Sequence, residues 1–171
     1  LPSVSGDFPE VLRAKNEISA GGVPLKIDVI FPVLHGTYGE DGQLQSDLDQ
    51  IGIPYVGSGA VASEQAMDKA EAKSIFSAAG IAIAPGVTVT EFEWKREPEA
   101  VTQLIAPLGA PIFVKASRGG SSRGTVKVKD ITSFAAAMEE ALSFDSKVLI
   151  ERKDAPLSVA PNNHIAISKR S

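Results

Sequence analysis

The sequence predicts a mixed α/β protein of α+β character, built as two successive units. Three observations carry that expectation. A β-branched apolar run, Leu25–Gly36, precedes an amphipathic stretch and a second short apolar run, Ile53–Val56, which is the order of a βαβ unit on a parallel sheet. A strongly helix-forming segment, Ala66–Ala79, stops at Gly80. Two β-rich arms, Pro111–Lys115 and Thr125–Lys129, then flank the glycine–serine stretch KASRGGSSRG.

Taken in order, LKIDVIFPVLHG (25–36) has the composition of a strand buried on both faces and ends at His-Gly. GEDGQLQSDLDQIGIP places Leu44, Leu48 and Ile51 on one helical face, with an acidic first turn and Gly52 as the stop. IPYV (53–56) is a second strand, closed by GSG. A boundary near Ser63–Met67 separates the two units, 1–66 and 67–171. After the 66–79 helix, IAIAPGVTVT is extended with a turn at Pro85-Gly86, and a polar connection leads to a helical stretch over Pro98–Leu108. The flanking arms form a hairpin with a long tip. ITSFAAAMEEALS sets Ile131, Phe134, Met138 and Leu142 on one side of a helix, and SKVLIERK (146–153) is the last strand. Beyond Asp154 the periodicity fades.

Composition narrows the function classes. The 171 residues are 43% hydrophobic and 22% charged, the balance of a globular chain with a buried core. A formal charge of −4 offers no cationic surplus for a nucleic-acid backbone. Cysteine is absent, which removes disulfides and thiolate chemistry and fits a reducing, cytoplasmic setting. No apolar run reaches the roughly 18 residues that span a bilayer, so no membrane role is expected. The opening LPSVSGDFPE has neither an initiator methionine nor the pattern of a signal peptide, and the chain is read as a piece of something longer.

KASRGGSSRG (115–124) has the chemistry of an anion loop. Glycines let the backbone approach a ligand, serine hydroxyls add donors, and Lys115 supplies a cation. Hydrogen bonds to a charged oxygen contribute roughly 1.5–3 kcal/mol each, so three or four give useful affinity. The loop joins two strands, so it is neither a Walker A loop nor a dinucleotide fingerprint. Taken alone, it also fits a solvated hairpin tip. His35 ends an apolar run at the sheet edge where α/β ligands bind, or caps the strand. Lys69 and Lys73 share a helix face and fit solvated lysines, and Glu151 fits an edge carboxylate or an acceptor for an amino group. No metal-ligand spacing supports His164.

In combination these pieces resemble one family. HGTYGEDGQLQ, GIPYVGSGAVASEQAMDKAEAK, FVKASRGGSSRG and VLIER, in this order, are similar to D-alanine–D-alanine ligases over roughly residues 27–153. The resemblance implies the remainder of an N-terminal parallel-sheet α/β domain, followed by the central sub-domain of an ATP-grasp fold. Lys69 and Lys115 match lysines that contact ATP phosphates. Gly120, Ser121, Ser122 and Gly124 match the phosphate loop, with Ser121 fixing a mobile lid. Glu151, Arg152 and Lys153 match the adenine-binding strand. His35 matches a histidine near the first D-alanine, and Glu40 and Asp41 belong to the same signature.

The activity so implied is ATP-dependent ligation of two D-alanine molecules through an acyl phosphate, for peptidoglycan precursors. Mg²⁺, or Mn²⁺, would assist from ligands outside this chain. D-Alanine and ATP are the implied partners, a homodimer the implied assembly, and the 171-residue chain by itself is expected to be inactive. Variants using D-lactate or D-serine, and a non-catalytic nucleotide-binding remnant, are the alternatives. Four positions depart from the usual pattern: Ser46, Ala116 and Arg123, and Ser158 where a ribose-binding glutamate is usual.

Overall fold

The computed structural model describes residues 11–14 and 17–153, so Ser158 and His164 lie outside the described residues. The chain separates into two compact units between Glu64 and Gln65.

In the first unit, β1 (Val11–Ala14), β2 (Glu17–Ala20) and β3 (Val23–Leu25) form an antiparallel meander. Sequence reasoning did not anticipate it. Its signal was the pair Gly21-Gly22, with φ of 56° and 77°, the left-handed backbone that a two-residue hairpin turn requires. Ile18 of β2 packs with Leu44, Leu48, Ile51 and Ile53 in a small core. Helix α1 (Gln43–Ile51) buries Leu44, Leu48 and Ile51 as its spacing predicts, and Gly52 closes it at φ 81°. The expected acidic first turn is shifted: Glu40 and Asp41 precede the helix, and Asp41 accepts the Gln43 amide at 3.2 Å.

The run 25–36 does not become one continuous strand. Ile30 makes a single parallel bridge to Tyr55, donating to the Pro54 carbonyl at 2.8 Å and accepting from Val56 at 2.9 Å. Val29, Phe31, Val33 and Leu34 are exposed. A strand buried on both faces needs bonded neighbours and layers on each side. Leu25 ends β3; among the described residues the rest of the run, 26–36, has only Tyr55 as a ladder partner, and Pro32 has no N–H to extend the ladder.

Helix α2 (Ala60–Met67) runs across the boundary, and α3 (Lys69–Ala78) follows after one non-helical residue. The helix expected from Ala66 is therefore two helices. Asp68, extended at φ −87° and ψ 102°, breaks the chain direction and caps α3 with its own side chain.

The second unit is a four-stranded sheet with helices packed against it. Strands β4 (Gly86–Thr90), β5 (Ile112–Ala116), β6 (Thr125–Val128) and β7 (Lys147–Arg152) lie in the order β4-β7-β5-β6, with every neighbouring pair antiparallel. Helix α4 (Glu91–Arg96) occupies part of the expected polar connection. Its start was legible as Thr-x-x-Glu: Thr90 Oγ1 accepts from the Glu93 amide, and Glu93 Oε2 accepts from the Thr90 amide at 2.7 Å. Helix α5 (Pro98–Ile105) continues into a 3₁₀ turn, Ala106–Leu108. Helix α6 (Phe134–Leu142) buries Phe134, Ala137, Met138 and Ala141, whereas Ile131, expected on that face, sits half-exposed in a preceding 3₁₀ turn.

These helices cover β5 through its alternating buried residues Ile112, Val114 and Ala116, and β7 through Val148 and Ile150. Trp94 meets Phe134 edge to face, with centroids 5.5 Å apart, and its indole donates to Glu139 at 2.7 Å. Phe134→Ala should therefore lower unfolding stability by about 3–5 kcal/mol. Urea titration followed by the near-ultraviolet signal of Trp94 checks this; a loss under about 1 kcal/mol would contradict the packing.

Candidate functional site

The site in the second unit is assembled from the start of α3, the β5–β6 loop and the end of β7. Asp68 holds the first two together. Its Oδ1 accepts from the Ala70 and Glu71 amides at 3.1 Å each and from Ser117 Oγ at 2.6 Å. Oδ2 takes the Arg118 guanidinium at 3.3 Å and pairs with Lys147. The backbones are joined as well: Lys69 donates to the Ser117 carbonyl at 2.9 Å. Asp68 is fully buried. Burial pushes its carboxyl upward, but Lys147, Ser117 and the Glu71 amide outweigh it and hold the group well below the ordinary 3.8.

Lys69 reaches along the same loop root. Its ammonium donates to the carbonyls of Ala116, Ser117 and Gly119 at 3.1, 3.4 and 2.7 Å, which engages all three of its N–H donors. Burial and the nearby Lys115 charge both lower its pKa from 10.5. Two cations thus act on each other at the base of the loop.

Beyond that root the backbone of the loop turns back on itself. Ser121 and Ser122 are exposed and successively left-handed, at φ 51° and 60°. Arg123 donates to the Gly120 carbonyl at 3.1 Å, and Ala116 to the Gly124 carbonyl at 2.8 Å. The amides of residues 119–122 donate to no acceptor among the described residues. A run of open amides beside lysines is an anion-binding concavity. Gly124 is required sterically: a Cβ there would lie 2.9 Å from Ala116 Cβ and from the Phe144 ring. Arg123, the unusual residue at the tip, stands over Phe144 at 5.5 Å.

Glu151 lies on β7, an inner strand, opposite Phe113 of β5 and Gly86 of β4. The reading as a water-facing edge carboxylate is thereby corrected: the residue is buried and bonded on both oxygens. Oε1 pairs with Lys73 and Oε2 with Lys115. Burial raises its pKa most, yet the bonds and charges of Lys115 and Lys73 together lower it below 4.5. Gly86 permits this approach, since a Cβ there would meet the Ile150 carbonyl at 2.7 Å. The backbone of Arg152 donates to Pro85, and that of Lys153 to Pro111, each at 3.0 Å.

His35 and Glu40 belong to the first unit. His35 is 90% exposed and does not end a strand; its Nδ1 lies 3.8 Å from Glu40 Oε1. Glu40 Oε2 accepts from the Gly36 amide at 2.6 Å, so the pair closes a local turn. Asp41 accepts from Tyr38 and Gln43, and these bonds outweigh burial to lower its pKa from 3.8.

Sequence reasoning missed Asp68 and the role of Lys73. Asp68 carried a signal, Asp-x-x-Glu opening a helix at Glu71. Lys73 carried none, because its partner is 78 residues away. A depression of about 500 Å³ adjoins the Asp68 cluster through Arg118 and Lys147 but includes neither Lys115 nor Glu151. No group of three His, Cys, Asp or Glu able to hold a metal occurs among the described residues. No helix among them is long and apolar enough to cross a membrane.

Comparison with known proteins gives two family matches, described as D-ala D-ala ligase N-terminus over residues 8–58 and D-ala D-ala ligase C-terminus over residues 75–163. A D-alanine–D-alanine ligase of Pseudarthrobacter chlorophenolicus is 42% identical over 88% of this chain and 39% of its own length. One from Chlorobium phaeovibrioides is 46% identical over 80% of this chain and 39% of its own length. The chain thus spans about two fifths of these relatives. Among solved structures, D-alanyl-alanine synthetase A of Vibrio cholerae superposes with a TM-score of 0.77 at 33% identity, over 86% of this chain and 45% of that one. The VanG D-Ala:D-Ser ligase of Enterococcus faecalis gives 0.76 at 36% identity, over 85% and 43%.

The Asp68 cluster has a pH signature. A carboxyl whose folded pKa lies below its unfolded value stabilises fully above about pH 4, and that contribution is lost as pH falls. Unfolding stability from urea titrations should therefore drop between about pH 4 and pH 2. Asp68→Asn should be destabilised by about 3 kcal/mol or more at pH 7 and show a flatter acid limb. An unchanged limb would remove Asp68 as its source.

Proposed function

The chain belongs to the D-alanine–D-alanine ligase family, and we propose that it carries the nucleotide-holding portion of an ATP-dependent enzyme that joins two D-alanine molecules. Its fold is that of the ligases it resembles, with the ATP-grasp central sheet as the second unit. The observation that carries the reading is the pairing of Lys115 with the buried Glu151 carboxylate on that sheet, with Lys115 leading directly into the loop whose amides 119–122 are open. Cation and amides suit a polyphosphate, and a buried acceptor suits an amino-bearing base.

In this assignment Lys115, Gly120, Ser121, Ser122 and Gly124 hold phosphate oxygens. Lys69 shapes the loop root and adds its charge. Glu151 and the main chain of Arg152 and Lys153 face the adenine. His35 and Glu40 serve the D-alanine side, and Ser121 helps close the loop. When bound, ATP would supply the phosphoryl group that activates one D-alanine carboxylate, leaving ADP; the amine of the second D-alanine would then displace phosphate from that acyl group, losing a proton, to give the dipeptide. Closure of the loop excludes water that would hydrolyse the acyl phosphate. The donor set fits anionic oxygens; among the described residues no group of three His, Cys, Asp or Glu could hold a metal, and Mg²⁺ or Mn²⁺ would be held by ligands outside this chain.

A role in peptidoglycan precursor synthesis, a cytoplasmic setting and a homodimer complete the proposal. D-Serine as second substrate has one observation in its favour, the likeness to a D-Ala:D-Ser ligase at 36% identity. The domain division of the proposal is a substrate-side part over 1–66 and a nucleotide-side part from 67 onward.

Calorimetric titration with Mg-ATP tests the reading. Lys115→Ala should weaken binding by about tenfold or more, the loss expected for a charged hydrogen-bond partner. Equal affinity in both proteins, or no binding by either, would overturn it. Phosphate release measured with D-alanine, D-serine and D-lactate then separates the ligase variants from a nucleotide-binding remnant, which would bind ATP without turnover.

A further inference from the structure

Two lysines share one buried carboxylate, and the nucleotide reading engages only one of them. Lys73 and Lys115 pair with opposite oxygens of Glu151, whose side chain is 11% exposed. Lys73 is partly buried, its side chain 17% exposed, and its ammonium donates to the Ala84 carbonyl at 2.7 Å. Ala84 precedes Pro85 and β4, whose Gly86 is the register partner of Glu151. Lys73 is therefore fixed at both ends by the framework. Lys115 is held differently: it is the penultimate residue of strand β5, just before the loop, 5.4 Å from the Phe113 ring centroid, and is the more exposed of the two at 26%.

We propose that Lys73 is a positioning residue, the resident counter-ion of Glu151 that lets Lys115 leave the carboxylate for an anionic phosphate. The inference rests on the nucleotide reading of this site. A cation that moves from Glu151 to a phosphate would strand a buried negative charge if it were the only partner. Removing one partner of a buried pair is strongly unfavourable because of the charge left behind. With Lys73 in place, the carboxylate keeps a neutralising, hydrogen-bonded partner throughout, and it retains lone pairs to accept an amino group of the base. The same pair explains why both lysines are present: one is spent on the carboxylate, the other is transferable. Because Lys73 is anchored by Ala84, it does not follow Lys115 into the loop.

The test is a double-mutant cycle on Mg-ATP affinity, measured by calorimetry in the whole protein. Lys73→Met should weaken ATP binding by about tenfold or more, because Lys115 can no longer leave Glu151 without exposing it to an unpaired state. In a Glu151→Gln background there is no carboxylate to neutralise, and adding Lys73→Met should change affinity by less than about threefold. Equal losses in both backgrounds, or no loss in either, overturn the proposal. Lys73→Arg preserves the charge and should keep affinity within about threefold of wild type, even if Lys73→Met fails to fold; a loss of about tenfold in the arginine variant overturns it. Absence of ATP binding by the wild-type protein would instead strike the nucleotide reading itself.

Discussion

The buried carboxylate of Asp68 joins three pieces of chain that are far apart in sequence. It caps α3, accepts from Ser117 at the root of the loop, and pairs with Arg118 and with Lys147 on β7. A buried charge is tolerated only when its lone pairs are filled, and here every acceptor direction has a donor. Because these donors belong to separate elements, satisfying Asp68 also sets where the loop starts. Lys69 follows directly in sequence, and its ammonium gathers the Ala116, Ser117 and Gly119 carbonyls on the same root. The loop beyond is therefore presented from a rigid base, while its own amides stay open.

Glu151 sits on the same sheet and obeys the same rule with a different outcome. Its two lysines outnumber the carboxylate they share, and Lys69 lies close enough that the Lys115 charge, after burial, lowers the Lys69 pKa. An incoming anion relieves that repulsion. The arrangement is thus electrostatically incomplete in a definite sense, and the polyphosphate of the proposed nucleotide would supply the missing charge. The sheet below provides the stiffness: Val148, Ile150, Val114 and Met138 are wholly buried, so β5 and β7 hold Lys115 and Glu151 in register.

Much of the second unit was legible because its signals are local. Alternation in Ile112–Ala116, the helical face of Phe134–Ala141 and the turn chemistry of the 115–124 stretch each depend on neighbours a few residues away. The Thr90–Glu93 capping box and the Gly21-Gly22 turn were equally local and were passed over. The first unit was harder to read. The run 25–36 has strand composition, but a strand exists only with a partner, and beyond Leu25, the end of β3, a single bridge from Ile30 to Tyr55 is what the described residues supply. The break at Asp68 was hidden inside a segment whose propensities favour helix on both sides.

The sequence by itself determined the family, most of the order of the elements in the second unit and the chemical nature of the loop, because motif order, apolar spacing and donor chemistry are written along the chain. It marked Lys69, Lys115, Ser121 and Glu151 as belonging together. Only the tertiary structure decided how they are partnered: that Lys69 is bound to carbonyls, that Glu151 is buried and shared, that Lys73 is its second cation, and that Asp68 locks the loop root. Those facts are pairings across 36 to 78 residues. Burial makes such pairings obligatory for a charge, but nothing in local spacing says which lysine will meet which carboxylate.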